Sequence, residues 1–232
     1  MEVAAAVIPG EREPMRLMQQ GEAFTICVGP LELMNSGSCV SEAALADLAC
    51  ARLRDRPQPR VLIGGLGMGF TLRAALAALG PDARIVVAEL VPAVVAWARG
   101  PLAHLFAGIL DDPRVEVREA DVKRVIQQAP SGYDAILLDV DNGPAGLTRG
   151  ENDRLYDRWG LKRARYALRP GGILGVWSGG PDRRFKARLR NAGFAVEEVR
   201  VPVDGAGRRR HVLWLATHTG ADGHAWAWPA SG

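Results

Sequence analysis

Three acidic residues stand where short strands are predicted to end, a position that suits chemistry on a cationic or hydroxyl-bearing ligand. Glu89, Asp121 and Asp139 stand at the ends of three predicted strands. A carboxylate can accept hydrogen bonds from both hydroxyls of a diol, take up a proton or balance a positive charge. Because the carboxyl ends of parallel strands meet at one edge of a sheet, the three acids are expected to share that edge.

A glycine-rich turn precedes the first of these acids. Three glycines recur at every second position after the apolar run Val61–Ile63, namely Gly65, Gly67 and Gly69. Because glycine has no side chain, the backbone can turn tightly there and let a ligand approach the main chain. The next residues, Phe70–Leu79, have the apolar spacing of a helix. Glu89 follows Gly65 by roughly 24 residues, near the ~20 typical of a ribose-binding carboxylate. The stretch therefore predicts a nucleoside-binding corner in which Glu89 binds the ribose.

The elements that position these residues alternate between strand and helix from about residue 57 onwards. This alternation predicts an α/β domain over 57–219, a doubly wound, mostly parallel sheet of seven strands closed by an antiparallel hairpin. Within it, residues 151–168 are predicted to form one long helix that ends in a turn at Arg169–Gly172. A small segment over 1–56 precedes it, and residues 220–232 are expected to be a flexible tail.

The small N-terminal segment is predicted to hold one hairpin and one helix. Ala23–Val28 and Leu31–Met34 alternate like two short strands joined at Gly29. Ser41 is predicted to cap the helix that follows. Residues 1–21 have no sustained period and are expected to be loosely ordered.

Composition points to an ordinary globular protein. The chain has 232 residues, 48% of them hydrophobic and 24% charged, with a net charge of +3. This charge is too small to indicate nucleic acid or a membrane surface as a partner, and no apolar run approaches a membrane span. The three cysteines and four histidines have no metal-ligand spacing, so no metal is expected. Reduced cysteines and the lack of a signal-peptide pattern predict a cytoplasmic protein.

Four stretches taken together resemble a known group. They are Val61–Arg73, Ala88–Val95, Asp112–Val115 and Tyr133–Asp139, and the resemblance covers roughly residues 40–180. They look like the class I S-adenosylmethionine-binding fold, which methyltransferases share. Within it they resemble the spermidine synthase family of aminopropyltransferases.

The resemblance implies a transferase that moves an aminopropyl group from decarboxylated S-adenosylmethionine to a small-molecule amine, without a metal. Glu89 looks like the ribose-binding acid, and Asp121 is similar to the acid that accepts from the adenine amino group. The loop of Gly65, Gly67 and Gly69 looks like the wall under the methionine-derived part of the donor. Asp139 resembles the first acid of the family's Asp-Ser-Ser-Asp-Pro segment, and it is the first choice for taking the proton of the amine. Asp141 is the second.

Departures from the family's pattern leave other interpretations open. Met68 stands where the family usually has an aspartate, and the second acid of the Asp139–Pro144 segment comes one position early. The family's Tyr-His-Glu segment stands here as Val40-Ser41-Glu42, without its tyrosine. A methyltransferase that uses ordinary S-adenosylmethionine and a non-catalytic nucleoside-binding protein are the alternatives. An NAD-linked oxidoreductase fits the motifs less well. The resemblance also implies that the N-terminal hairpin pairs across a homodimer, which its own residues do not require.

Overall fold

A four-stranded antiparallel sheet forms the N-terminal part of the molecule. The computed structural model describes residues 1–9, 13–37, 39–140, 153–203 and 210–220. The small sheet runs in the order of its strands, β1 (Glu2–Ala6), β2 (Met15–Gln20), β3 (Ala23–Val28) and β4 (Leu31–Asn35). The predicted hairpin is β3 and β4. For residues 1–9 and 13–21 the expectation of loose order was wrong, because β1 and β2 extend the hairpin and bury Met15 and Leu17 in the core.

A seven-stranded sheet forms the main domain, as the alternating pattern predicted. Its strands are β5 (Arg60–Gly64), β6 (Arg84–Glu89), β7 (Val115–Glu119), β8 (Tyr133–Leu138), β9 (Leu168–Ser178), β10 (Phe194–Pro202) and β11 (Arg210–His218). The order is β10-β11-β9-β8-β5-β6-β7. All neighbours from β7 to β9 are parallel, and β11 is antiparallel to both of its neighbours. The fold class is confirmed.

Helices cover both faces of this sheet. They are α1 (Val40–Cys50), α2 (Phe70–Ala78), α3 (Pro92–Arg99), α4 (Ala103–Phe106), α5 (Val122–Gln127), α6 (Asp153–Tyr156), α7 (Arg158–Ala167) and α8 (Arg183–Asn191). Two apolar cores result, one on each face. Within the described ranges, no helix is long and apolar enough to cross a membrane.

Two local expectations along the second half of the domain differ from the structure. Residues 151–168 suggested one long helix, but the chain breaks at Asp157, whose carboxylate accepts from the N–H groups of Trp159 and Gly160 at 2.7 Å and so caps α7. The Arg169–Gly172 segment, expected as a turn, lies within β9. Neither difference moves the strand ends that carry the predicted site.

The strand order reverses at β5, and this places the predicted site. The chain runs outwards from β5 through β6 to β7, then returns to the other side of β5 as β8. A crevice opens at such a switch point, outside the carboxyl ends of the strands. Gly65 follows β5 and Asp139 follows β8, so these two predicted residues flank the crevice.

Candidate active site

Gly65 allows the ends of two neighbouring strands to come together. Its φ of +88° lies in the left-handed region, and its N–H donates to the carbonyl of Ala88 at 2.9 Å. A Cβ on Gly65 would lie 2.6 Å from the backbone oxygen of Asp139. Only glycine fits this conformation and this approach.

The other two glycines of the loop face protein groups. A Cβ on Gly67 would lie 2.7 Å from the Cε of Met34 in β4. A Cβ on Gly69 would meet the ring of Phe106 at 2.6 Å. Gly67 lines the cavity described below, whereas Gly69 serves the turn into α2, where its φ is +77°.

Glu89 ties the glycine loop to the start of α3. One carboxylate oxygen accepts from the N–H of Leu66 at 2.8 Å, and the other accepts from the N–H of Val91 at 2.8 Å. The residue is only 7% exposed. A carboxylate offers about four acceptor positions, so a residue of this type can hold a loop and accept from ligand hydroxyls as well.

Asp139 lies across the crevice from Glu89 with a perturbed carboxyl. The hydroxyl of Thr71, in the first turn of α2, donates to it at 2.8 Å. Burial, and after it the negative charge of Glu42, raise the pKa of Asp139 to about 7 against the opposing hydrogen bond from Thr71. A carboxyl with a pKa near neutrality is suited to take up and release a proton.

These groups surround one cavity of about 120 Å³. Its acidic members are Glu42, Glu89 and Asp139, and its floor is formed by Gly65 and Gly67. The walls are apolar and come from both parts of the chain, namely Ile26, Leu33, Met34, Val140 and Trp177. The N-terminal sheet therefore completes a site that the large sheet begins.

Ser41 anchors the wall of the cavity. The prediction that it caps α1 was wrong, because the helix begins at Val40 and Ser41 is turned inward, 2% exposed. Its hydroxyl donates to Glu42 at 2.7 Å and accepts from the indole N–H of Trp177 at 2.9 Å. Ser41 thus fixes one acid and one aromatic wall of the cavity at once.

Asp121 caps a helix and lines a different cavity. Its carboxylate accepts from the backbone N–H of Lys123 at 2.8 Å and lies 3.3 Å from the Nζ of the same residue. It borders a space of about 220 Å³ between α5 and α7. The contact with an adenine amino group stays a prediction for Asp121.

Two further sequence expectations bear on the acids of the site. Asp141, the second choice for the proton acceptor, lies outside the described residues. Met68, which replaces the family's aspartate, is fully buried among apolar side chains. Among the described lining residues, the acid besides Asp139 and Glu89 is Glu42, to which the sequence analysis assigned no role.

The residues missed at the sequence level had weak signals. Ser41 and Glu42 stand where the resembling family has a Tyr-His-Glu segment, so that segment was the available clue to Glu42. Thr71 had no signal, because a threonine in the first turn of a helix is ordinary. His211, which lies 2.9 Å from Ser41, was given no role because the four histidines have no ligand spacing in the sequence.

Comparison with curated proteins identifies relatives of one activity. A polyamine aminopropyltransferase of Mycobacterium tuberculosis is 35% identical over 156 residues, which cover 62% of this chain and 29% of that protein. Polyamine aminopropyltransferase 1 of Streptomyces coelicolor is 34% identical over 166 residues, or 68% of this chain and 30% of that protein. These curated relatives are polyamine aminopropyltransferases. The predicted resemblance to the spermidine synthase family is thereby confirmed.

The extent of these matches is limited. The chain spans about a third of the length of the curated relatives that it matches. The match to polyamine aminopropyltransferase 2 of Pseudomonas aeruginosa is 35% identical over 126 residues. It covers 34% of the length of that protein. No family model matches the sequence.

Solved structures agree on the fold. Spermidine synthase from Thermotoga maritima superposes with a TM-score of 0.74 at 17% identity, over 95% of this chain and 73% of that one. A spermidine synthase in complex with the transition-state analogue AdoDATO gives 0.76 at 19% identity, over 95% and 74% of the two chains. The CurJ carbon methyltransferase gives 0.52 at 16% identity, over 76% and 54%. At these low identities the likeness to the solved structures shows a shared fold and no more.

Proposed function

We propose that this protein transfers an aminopropyl group from decarboxylated S-adenosylmethionine to a small-molecule amine. One observation carries the proposal: Glu42, Glu89 and Asp139 line a single cavity whose floor is the glycine loop. The curated relatives, which are named polyamine aminopropyltransferases, support this proposal. The donor acts as a substrate, and the described lining offers it Glu89 as the proposed partner of the ribose hydroxyls, a backbone floor and apolar walls.

The charge of the cavity favours cations. Among its described lining residues there are three acids and no lysine, arginine or histidine. Both reactants of aminopropyl transfer are positively charged, one as a sulfonium and one as an ammonium, and each would gain from nearby carboxylates. The indole of Trp177 adds an aromatic face of the kind on which such cations bind.

The same charge argues for the decarboxylated donor. Ordinary S-adenosylmethionine carries an α-carboxylate, which needs a cation or several N–H donors in a partly buried site. The described lining offers carboxylates there instead, and these repel it. The decarboxylated donor ends in an amine, which Glu42 or Asp139 can hold.

Asp139 is the group that would activate the acceptor. An alkylammonium has a pKa of ~10.4 and must lose a proton before its nitrogen can attack. The pKa of Asp139 is raised from 3.8 to about 7 and so lies closer to the pKa of the ammonium. About half of the carboxyl is still ionised at neutral pH and can accept the proton. The freed amine then attacks the carbon beside sulfur, the carbon–sulfur bond breaks, and its electron pair stays on the departing thioether.

A product assay tests the proposal. The full-length chain is incubated with decarboxylated or ordinary S-adenosylmethionine and a panel of diamines, and products are identified by mass spectrometry. We expect amines heavier by one aminopropyl group together with methylthioadenosine, and loss of turnover in Asp139→Asn. Asp82→Asn, on the exposed turn before β6, serves as the matched control. Absence of an aminopropylated product with every amine would contradict the proposal.

A methyltransferase is the second candidate, supported by the burial of Met68 in place of the family's aspartate and by the fold shared with a carbon methyltransferase. The same assay separates the two functions. A methylated product with S-adenosylhomocysteine, formed only from the ordinary donor, would replace the first proposal by the second.

A further inference from the structure

The hydroxyl of Ser41 connects an acid of the cavity to a histidine on another strand. It donates to the Oε2 of Glu42 at 2.7 Å and lies 2.9 Å from the Nδ1 of His211 at the start of β11. The indole N–H of Trp177 donates to the same oxygen at 2.9 Å. Trp177 and His211 also pack edge to face with their centroids 4.5 Å apart, which fixes the imidazole beside the hydroxyl.

Counting hydrogens fixes the direction of these bonds. A hydroxyl has one hydrogen to donate and two lone pairs to accept with, and an indole can only donate. When Glu42 is ionised, Ser41 must donate to it, so the remaining bond requires a hydrogen on the Nδ1 of His211. When Glu42 is protonated, it can donate to Ser41, and the hydrogen of Ser41 is then free to point towards an unprotonated Nδ1.

Aminopropyl transfer produces a proton that has to leave this site. The acceptor enters as an ammonium and gives one proton to a carboxylate; its nitrogen then gains a bond to carbon and becomes an ammonium again. One proton therefore remains on the protein after each turnover. Ser41 is 2% exposed and Glu42 9% exposed, whereas His211 is half-buried and so reaches solvent.

We propose that Glu42, Ser41 and His211 form the exit path for this proton, an inference that rests on the proposed function. Asp139, which takes the proton of the acceptor, passes it to Glu42 in the same cavity and is ionised again. The O–H bond of protonated Glu42 then breaks as a new O–H bond forms on Ser41. The original hydrogen of Ser41 passes to the Nδ1 of His211, which becomes an imidazolium. The imidazolium loses its other ring proton to solvent, and Glu42 is again ionised. His211 is left with its hydrogen on Nδ1. The path is reset when the hydrogen bond to Ser41 opens, because the imidazole can then take up a proton from solvent on Nε2 and release the Nδ1 hydrogen to solvent. Trp177 cannot accept a proton, so it acts as a positioning residue for Ser41.

Kinetics with variants of His211 test the path. His211→Asn keeps an N–H donor for Ser41 but cannot take up a proton, and His211→Ala leaves space for an added base. We expect each to lower kcat by about ten-fold or more, with the KM of the donor within about two-fold, as for loss of a proton-transfer group. Added imidazole should restore kcat in His211→Ala. His104→Asn is the matched control, because His104 is exposed and packs on Phe24 away from the hydroxyl of Ser41.

Unchanged kcat in both His211 variants would overturn the path. So would a loss in His211→Ala that imidazole does not restore although the melting temperature matches that of the wild type. If His211→Ala does not fold, His211→Asn and the measurement that follows decide.

Nitrogen-15 NMR of the histidines tests the path without turnover. At a pH where the imidazole is neutral, His211 should carry its hydrogen on Nδ1, and Ser41→Ala should shift it towards Nε2, the site preferred by a free imidazole side chain. A wild-type His211 with its hydrogen on Nε2 would overturn the path whether or not the protein is a transferase. Failure of the wild type to form any aminopropylated product would instead overturn the proposed function.

Discussion

Glu89 and Leu66 are joined by a hydrogen bond of 2.8 Å that runs from the backbone N–H of the glycine loop to a carboxylate at the end of β6. The second oxygen of Glu89 accepts from the N–H of Val91 at the same distance. The acid proposed to bind the ribose is therefore also the residue that holds the loop in place. Substitutions at this position act on folding and on binding together, and they have to be designed to separate the two effects.

We expect Glu89→Gln to weaken binding of methylthioadenosine by more than ~1 kcal/mol, the scale of a lost hydrogen bond to a charged group, while the protein stays folded. Glutamine keeps one acceptor oxygen for the backbone, whereas Glu89→Ala leaves two buried N–H groups unsatisfied and should cost a further ~1–3 kcal/mol of stability. Calorimetric titration and urea unfolding of both variants measure the two effects. Equal affinity of wild type and Glu89→Gln would rule out the ribose assignment.

Gly65→Ala should destabilise the protein by roughly 1–3 kcal/mol, because the added Cβ would lie 2.6 Å from the Asp139 carbonyl at a φ of +88°. Gly80→Ala is the matched control. It meets no atom within 4 Å and its φ is not in the left-handed region, so its effect should stay within about 0.5 kcal/mol. Urea unfolding measures both. Similar stabilities for the two variants would show that the approach of the strand ends tolerates a side chain.

Asp139→Asn should stabilise the protein at pH 8 and have little effect at pH 4. The pKa of Asp139 in the folded protein is raised from 3.8 to about 7, so the folded state binds more protons than the unfolded state between these values. The stability from this group is fully present below pH 3.8 and is lost as the pH rises to about 7. Each pH unit between the two pKa values corresponds to ~1.4 kcal/mol, so the gain at pH 8 is at most ~4 kcal/mol.

Urea unfolding at both pH values checks this expectation. Asp82→Asn, an exposed residue, should show no such dependence. A difference between Asp139→Asn and wild type that is the same at pH 4 and pH 8 would mean that the carboxyl of Asp139 is not perturbed.

Thr71→Val and Glu42→Gln should move the pKa of Asp139 in opposite directions. The valine variant removes the hydroxyl that donates to the ionised carboxylate at 2.8 Å, so the pKa should rise above about 7. The glutamine variant removes a negative charge that disfavours ionisation, so the pKa should fall. Carbon-13 NMR of the Asp139 carboxyl measures each titration directly. No shift in Glu42→Gln would show that the two acids do not interact, and a rise in the pKa would contradict the repulsion between them.

Local sequence determined the elements that carry the site. The apolar run Val61–Ile63 is buried on both faces of a parallel sheet, and such strands read as continuous apolar stretches. Gly65 stands where a left-handed turn is needed, and Glu89 ends the next strand, as their spacing predicted. Strand ends of one parallel sheet converge whatever the loops between them do, so a pattern in the sequence was enough to bring Gly65, Glu89 and Asp139 together.

Only the tertiary structure decided the partners of these residues. The hydroxyl of Ser41 meets His211, a residue 170 positions away, and Thr71 meets Asp139 across 68 positions. Met34 reaches the glycine loop from a sheet whose first two strands the sequence did not predict. Periodicity reports which face of an element is buried, but it carries no information on which distant element covers that face. The roles of Ser41, Glu42 and His211 depend on that packing, and so does the perturbed carboxyl of Asp139.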